Sequence, residues 1–321
     1  MELSHGPGVY KYSHKSYSSQ SDSWSSRVSL NSWAAPVVGA IFGLGRAGSI
    51  HLSNIIGNPR VILKYIVDDR SERFAELKDY WKLDNSVTFL TSKDSEKVYK
   101  DKSVNVVFIG SPTWTHEDIV VNSINNNKHV YCEKPIAENI EDTKKCYETA
   151  KAKGCTLFAA FNRRFDPAYS GLWQRVRNGD VGHVQILKVT ARDSPLPSIP
   201  YLQTSGGVFH DCLVHDFDMA CWVLGELPTR VQATAAALIP EVKEGIKQTP
   251  IFYSFPSRYR LAYKYELEHF LDVVMNGEPM KVTSWQTLAV SKIATAAEKS
   301  ARTGQTVELD WTKDGIPAIY S

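Results

Sequence analysis

A glycine-rich segment at residues 43–48, with the sequence GLGRAG, constrains the fold of this chain more than any other feature. It follows a run of apolar residues, 37–42, that predicts a buried strand, and it precedes residues 49–56, whose pattern predicts a helix. A second apolar run, 61–67, ends directly before Asp68, twenty residues beyond the last of these glycines. The spacing predicts a strand–turn–helix–strand unit with the glycines in its first turn.

Such a unit is suited to bind the pyrophosphate of a dinucleotide. Gly43 allows the tight turn, Gly45 lets the backbone approach the pyrophosphate, and Gly48 lets helix and strand pack closely. The N-terminus of the helix, with Arg46 and Ala47, offers N–H groups and a partial positive charge to the phosphates. A glycine turn with a purely structural role is the alternative interpretation.

Asp68 bears on which dinucleotide is bound. Its carboxylate would accept hydrogen bonds from a ribose diol and would repel a 2′-phosphate, which favours NAD over NADP. Asp69 adds negative charge, whereas Arg70 could hold a 2′-phosphate and keeps NADP open as the less favoured alternative.

The composition is that of an ordinary globular protein. The chain has 321 residues, of which 43% are hydrophobic and 22% charged, enough for two domains and a large core. A net charge of +2, without a basic run interleaved with aromatic residues, argues against a nucleic-acid partner. No apolar run reaches the roughly twenty residues that a bilayer span requires, so no membrane partner is expected.

Cysteine usage and the N-terminal segment both bear on location. The five cysteines are odd in number and form no C-x-x-C motif, and Cys132 and Cys155 lie in apolar runs. This pattern predicts reduced thiols, no metal site and a cytoplasmic location.

Residues 1–35 are rich in serine and tyrosine and are predicted to be a disordered tail, with an organelle transit peptide as the minor alternative.

Strand and helix patterns alternate between residues 36 and 162. The predicted strands are 37–42, 61–67, 87–90, 104–109, 129–132 and 155–160. The amphipathic helices predicted between them are 71–81, 115–127 and 140–153. Alternation with nearly all-apolar strands predicts an α/β fold with a Rossmann-type, doubly wound parallel sheet, whose ligands bind beyond the carboxyl ends of the strands.

Residues 163–321 lack this alternation and are predicted to form an α+β domain for the substrate and for association between subunits. The predicted elements are strands at 181–192, 230–238 and 306–309 and helices at 212–224, 260–276 and 285–303. Gly277 and Gly304 would stop the two long helices.

Asp211 and His215 are four residues apart in the predicted helix 212–224 and its approach, which would place them on one face. A carboxylate and an imidazole so placed can form an oriented acid–base pair. Oxidation of a secondary alcohol needs a base for the hydroxyl proton, a cation near the oxygen and a hydride acceptor. His215, Lys134 and NAD would fill these roles, although such a pair can also be a surface or capping pair.

The residues that follow the predicted strands resemble those of the Gfo/Idh/MocA oxidoreductase family. Glu133-Lys134-Pro135 is its most specific short motif, and the segments 192–195 and 205–220 closely resemble the inositol 2-dehydrogenase branch. The resemblance covers residues 36–231 and resumes at about residue 252. It implies an NAD-dependent oxidoreductase that oxidises a secondary hydroxyl of a cyclitol or sugar.

The resemblance also implies roles for individual residues. The catalytic set would be Lys134, Asp211 and His215. The substrate contacts would be Arg164, Asp193 and His215. The cofactor-binding residues would be Gly43, Gly45, Arg46, Ala47, Gly48, Asp68, Ser111, Thr113, His116, Glu133 and Lys134.

The second domain departs from the family pattern. Family members usually continue with several long antiparallel strands, but here residues 239–251 lead almost directly to the terminal helices, so several strands are missing. Missing strands would expose sheet edges and apolar faces. The chain could therefore fold poorly, be a compact natural variant, or bind the cofactor with impaired catalysis. Because family members associate through this sheet, a homo-oligomer stays open.

Two other functions remain as alternatives. A non-catalytic NAD(H)-binding pseudoenzyme or sensor is consistent with the missing strands and the long tail. A methyltransferase could use a similar nucleotide fold, but Glu133-Lys134-Pro135 and the Asp211/His215 pair argue against it.

Overall fold

The structure, a computed structural model, describes residues 35–191, 205–236 and 255–314. The described residues from Pro36 onward belong to one compact unit, which contains all the elements below. Apart from Ala35, the predicted tail at residues 1–35 lies outside the described residues.

A six-stranded parallel sheet forms the first half of the described fold. Its strands are β1 (Val37–Phe42), β2 (Val61–Val67), β3 (Thr88–Leu90), β4 (Val106–Ile109), β5 (His129–Glu133) and β6 (Leu157–Ala160), in the order β3-β2-β1-β4-β5-β6. The register pairs Phe42 with both Val67 and Ile109, so the carboxyl ends of the central strands meet at one edge. The parallel pairing confirms the predicted sheet, and β1, β4 and β6 are almost entirely buried apolar residues, as expected for strands covered on both faces.

Helices lie between the strands of this sheet and make up most of the described second half of the chain. They are α1 (Arg46–Ile56), α2 (Phe74–Tyr80), α3 (Glu96–Lys100), α4 (His116–Asn125), α5 (Ile140–Lys153), α6 (Pro167–Arg177), α7 (Gly207–Asp211), α8 (Val214–Leu224), α9 (Phe255–Arg258), α10 (Arg260–Asn276) and α11 (Ser284–Thr303). The helices α10 and α11 end at Gly277 and Gly304, whose φ angles of 69° and 70° are left-handed, as the stop signals predicted. Thr283 and Gln286 form a capping box that starts α11.

The second half contains less strand than the sequence predicts. The described part of the predicted strand 181–192, residues 181–191, forms no strand, and the predicted strand 230–238 is reduced to β7 (Arg230–Val231). The strand β7 pairs antiparallel with β8 (Val307–Glu308). A strand needs a neighbour to satisfy its backbone groups, and among the described residues 181–191 have no such neighbour. The described residues of the second half are therefore mainly helical, with a two-stranded sheet.

Helix α10 lies against the parallel sheet and joins the two halves of the fold. Phe270 packs within a cluster formed by Phe108, Tyr131 and Phe158, with ring centroids 5.4–5.9 Å apart. Beside it the Tyr131 hydroxyl donates to Oε2 of the fully buried Glu266 at 2.5 Å. Because this core spans both halves, the domain boundary near residue 162 stays a prediction.

Among the described residues, every helix is either too short or too polar to cross a membrane.

We predict that Glu266→Gln stabilises the protein by an amount that increases with pH. Burial, reinforced by the charge of Glu133, raises the pKa of Glu266 well above its ordinary value. The native state therefore keeps a proton that the unfolded chain releases, and stability falls as pH rises. Each unit by which the pKa is raised corresponds to a loss of about 1.4 kcal/mol in the free energy of unfolding at high pH. Glutamine does not titrate, so the variant avoids this loss. Urea unfolding at pH 5.5 and pH 8 measures the difference; an equal effect at both values contradicts the prediction.

Candidate active site

The glycine-rich turn between β1 and α1 is packed so tightly that side chains are excluded at two of its positions. Gly43 has a φ angle of +82°, and a Cβ atom there would lie 2.4 Å from Cα of Ser111. A Cβ atom at Gly48 would lie 1.9 Å from the carbonyl oxygen of Gly43. A Cβ atom at Gly45, by contrast, would meet nothing within 4 Å. Of the three glycines in this turn, only Gly45 therefore has open space where a side chain would lie.

The N-terminus of α1 opens into this space. No side chain of the described residues caps the helix, and its first turn carries no acidic residue. Backbone N–H groups in the first turn of a helix have no acceptor within the helix and attract anions. The turn and the helix therefore fit the pyrophosphate of a dinucleotide.

Asp68 lies at the end of β2 beside the same turn. Its carboxylate accepts the Leu44 N–H at 2.7 Å and Nε of Arg70 at 3.0 Å. Burial alone would raise the pKa of Asp68, but these hydrogen bonds outweigh it and lower the pKa, so the carboxylate is ionised. Arg70 also donates from Nη2 to the Leu44 carbonyl oxygen at 2.8 Å. The guanidinium that could have held a 2′-phosphate thus lies against the carboxylate.

The loop after β4 is held mainly by its own residues and by His116. The hydroxyls of Ser111 and Thr115 are 2.6 Å apart, and Thr113 is partly exposed at the start of a short 3-10 turn. His116, in contrast, is 1% exposed, and burial lowers its pKa. Its ring connects two backbone carbonyl groups, so the structure gives this predicted cofactor residue no open surface.

Glu133 is also turned away from the open space. Its Oε1 is 2.7 Å from Nε2 of His51, and its Oε2 accepts the backbone N–H of Lys134 at 3.2 Å. Burial raises the pKa of Glu133, but the hydrogen bond with His51 outweighs it and the net pKa is lowered. The carboxylate is therefore ionised beneath the end of β5.

The ammonium group of Lys134 reaches across to the second half of the fold. Its Nζ donates to the carbonyl oxygen of Asp211 at 2.7 Å and to Oδ1 of the same residue at 3.1 Å. The two side chains are only 12% and 17% exposed. Low exposure strengthens this charge-assisted contact between the sheet edge and α7.

The expectation that Asp211 and His215 share one helix is wrong. Asp211 ends α7, residues 212 and 213 form a turn, and His215 lies in the first turn of α8. In a continuous helix the Asp211 carbonyl would accept the His215 N–H, but that N–H donates to Cys212 O at 3.3 Å. At this break the Asp211 carbonyl oxygen accepts a hydrogen bond from the Lys134 ammonium.

His215 is placed as a neutral base. Its Nδ1 is buried and finds no hydrogen-bond partner among the residues that the structure describes, while the residue as a whole is partly exposed. Burial, and then the charges of Lys134 and Arg163, hold the pKa of His215 well below its ordinary value. The ring of Phe161 meets the imidazole edge-on at 6.2 Å. The arrangement offers an unprotonated imidazole beside two cations.

The substrate-contact prediction for Arg164 is not supported by its placement. The side chain is buried, and its Nε donates to Asp218 Oδ2 at 2.9 Å. Its Nη1 donates to the Lys281 carbonyl oxygen and to Gln286 Oε1, both at 2.8 Å. Arg164 therefore joins α8 to the start of α11. The other predicted substrate contact, Asp193, lies outside the described residues.

Arg163 is the charged residue near His215 that sequence reasoning missed. It forms an ion pair with Asp216 and lies 5.7 Å from the ring centroid of Tyr259. The sequence contains two adjacent arginines, Arg163 and Arg164. Both lie in the 3-10 turn Asn162–Phe165, whose geometry determines which of them faces the site. The sequence signal that could have indicated Arg163 is Asp216, the acidic residue directly after His215, with which Arg163 pairs.

Comparison with known proteins agrees with this geometry. Residues 38–161 match the model of an oxidoreductase family with an NAD-binding Rossmann fold, and residues 169–289 match the C-terminal domain of the same family. The chain belongs to the Gfo/Idh/MocA family. It is thus an oxidoreductase with an NAD-binding domain, of a family that acts on CH–OH groups.

Several members of the Gfo/Idh/MocA family are similar to this chain. Myo-inositol 2-dehydrogenase of Thermotoga maritima is 28% identical, over 84% of this chain and 98% of the relative. An uncharacterized oxidoreductase of Bacillus subtilis, YrbE, is 36% identical over 63% of this chain, but that match spans only 58% of the relative. The crystal structure of a myo-inositol dehydrogenase from Corynebacterium glutamicum superposes with a TM-score of 0.74 at 26% identity, over 86% of this chain and 99% of the other.

The alignment with the Thermotoga maritima enzyme measures how much shorter this family member is. It extends over 331 positions but uses 84% of this chain, or about 270 residues. About 60 positions of the alignment therefore have no counterpart here. The two-stranded sheet that the described residues of the second half form is consistent with this difference in length.

We predict opposite consequences for alanine at two glycines of the turn. Gly45→Ala leaves the thermal unfolding midpoint nearly unchanged, since its Cβ meets no neighbour, but weakens NADH binding about tenfold because the methyl group lies where the pyrophosphate approaches. Gly48→Ala overlaps the Gly43 carbonyl and destabilises the fold by about 1–3 kcal/mol. Calorimetry and NADH titration measure both; unchanged NADH affinity in folded Gly45→Ala would refute the assignment.

Proposed function

We propose that the chain is an NAD-dependent dehydrogenase that oxidises a secondary hydroxyl group of a cyclitol, such as myo-inositol, or of a related sugar. The observation that carries this proposal is the Lys134 ammonium held on Asp211 near a neutral imidazole at His215, whose Nδ1 has no hydrogen-bond partner among the described residues. The similarity to an inositol dehydrogenase over nearly that enzyme's whole length supports the choice of substrate class.

His215 acts as the general base in this proposal. Because Nδ1 is buried, the ring nitrogen left for a substrate hydroxyl is Nε2, which would accept the hydroxyl proton. The lowered pKa keeps the imidazole unprotonated at neutral pH and therefore ready to accept it. NAD, when bound, supplies the acceptor for the hydride of the carbinol carbon.

Lys134 stabilises the oxygen as it loses its proton. Its ammonium group is already oriented by the carbonyl and the carboxylate of Asp211, so little reorganisation is needed when negative charge develops. The low exposure of both side chains strengthens this interaction relative to water. Asp211 thus acts on the reaction by orienting Lys134.

The cofactor would lie along the carboxyl edge of the sheet. The first turn of α1, with Gly45, Arg46 and Ala47, would hold the pyrophosphate, and Asp68 would accept hydrogen bonds from a ribose. The loop with Ser111 and Thr113 would border the nicotinamide half. We further propose a cytoplasmic location and leave association between copies of the chain as an open expectation.

A non-catalytic NAD(H)-binding protein is the second candidate. The observation that favours it is the absence of about 60 alignment positions relative to the Thermotoga maritima enzyme. Groups that enclose the substrate in longer family members could be among them. Tight NADH binding by a folded protein that turns over no polyol or sugar would support this candidate.

We expect purified protein to reduce NAD in the presence of one polyol, measured by the absorbance of reduced nicotinamide with myo-inositol, scyllo-inositol, glucose and xylose. His215→Ala and Lys134→Met should each lower kcat by about 100-fold or more while NADH still binds, because each removes a group that acts on the reacting oxygen. His210→Ala is the matched control, since this neighbouring histidine pairs with Glu298 instead. Equal activity in all three variants contradicts the assignment.

The acid limb of the kcat/KM profile should have its midpoint below pH 6.5. The neutral form of His215 is the active one, and burial with two neighbouring cations lowers its pKa from the ordinary 6.5. Activity is therefore retained as pH falls through 6.5 and is lost only below it. A midpoint at or above 6.5 would show that another group limits the rate.

A further inference from the structure

Lys134 is flanked by two residues, Glu133 and Pro135, each of which is bonded to a buried histidine. We propose that these histidines, His51 and His116, are positioning residues that fix the ammonium of Lys134 on Asp211. The inference rests on the proposed function, in which that ammonium stabilises the developing alkoxide.

On one side, His51 acts through Glu133. It lies in α1 and is 3% exposed, and its Nε2 is 2.7 Å from Oε1 of Glu133. The other carboxylate oxygen accepts the Lys134 backbone N–H at 3.2 Å. The same carboxylate thus connects α1 to the peptide group of the lysine.

On the other side, His116 acts through Pro135. Its Nδ1 is 2.8 Å from the Pro135 carbonyl oxygen, and its Nε2 is 2.9 Å from the Ser111 carbonyl oxygen. The imidazole at the start of α4 therefore spans the loops that follow β4 and β5. A neutral imidazole carries one N–H, and the inference requires the tautomer in which Nδ1–H donates to the Pro135 carbonyl oxygen. The burial of the ring keeps it from touching a cofactor directly.

Neighbouring rings fix the orientation of His51. Tyr131 and Tyr263 meet the imidazole edge-on, with centroids 5.0 Å and 5.4 Å away. The hydrogen bond from His51 also keeps Glu133 ionised in a buried place. A charged carboxylate held by an enclosed ring leaves the residue after it little freedom to move.

The two contacts have a common consequence for the reaction. Lys134 is held from α1, whose N-terminus faces the proposed phosphate site, and from the loop that borders the proposed nicotinamide site. A displacement of about 1 Å at a reacting group can lower a rate by about 100-fold. Loss of either histidine should therefore change kcat more than the affinity for NADH.

The test measures how accessible Lys134 is, using the full-length protein and acetylation by an amine-selective reagent followed by mass spectrometry. We expect Lys134 to react about tenfold faster in His51→Leu and in His116→Leu than in the wild type, because the shifted ammonium leaves Asp211. His51→Gln keeps a donor toward Glu133 and should return the rate to near the wild-type value.

Two controls separate positioning from general loosening. Lys128 is buried, and its Nζ donates to the carbonyl oxygens of Asp101 and Val104, so its labelling reports on opening of the fold. His129→Gln removes a histidine from the opposite end of β5 and should leave Lys134 labelling unchanged. Unchanged labelling of Lys134 in both leucine variants, or an equal rise at Lys128, overturns the inference.

Turnover provides an independent second measurement. If the wild type reduces NAD with a polyol, the leucine variants should lower kcat by about tenfold or more, with NADH affinity changed less than threefold. A wild type without turnover counts against the proposed function, whereas the labelling result still decides whether the histidines position Lys134.

Discussion

The hydrogen bond from the Lys134 ammonium to the Asp211 carbonyl oxygen connects the two halves of this fold at the point where chemistry is proposed. It joins the carboxyl end of β5 to the end of α7. The turn that follows separates Asp211 from His215 and starts α8 anew. The cation and its orienting carboxylate are thus held together by this contact, and the base follows in the next helix.

Local signals were sufficient to predict most of the nucleotide-binding half. The bounds of β1 and β2 agree with those predicted from the sequence. In β1 this is because a strand buried on both faces needs an unbroken run of apolar residues. The ends of α10 and α11 were readable from Gly277 and Gly304, since a left-handed residue favours glycine. The position of Asp68 was predictable from its spacing, because it directly follows a strand and lies twenty residues beyond the last glycine of the turn.

Features that depend on distant partners could not be predicted. The break at residues 212–213 follows Asp211, whose carbonyl oxygen accepts a hydrogen bond from the Lys134 ammonium, in another part of the chain. The choice between Arg163 and Arg164 depends on a 3-10 turn and on the partners Asp216 and Asp218. Residues 181–191 have a composition typical of a strand. A strand also needs a neighbouring strand for its backbone hydrogen bonds, and the composition of one segment does not show whether such a neighbour exists.

Helix α10 gives the nucleotide-binding sheet part of its own core. Phe270 completes an aromatic cluster with Phe108, Tyr131 and Phe158, three side chains of β4, β5 and β6. A fragment that stopped at residue 162 would present these rings to water, so the nucleotide-binding half is not a module that can be cut out and transplanted.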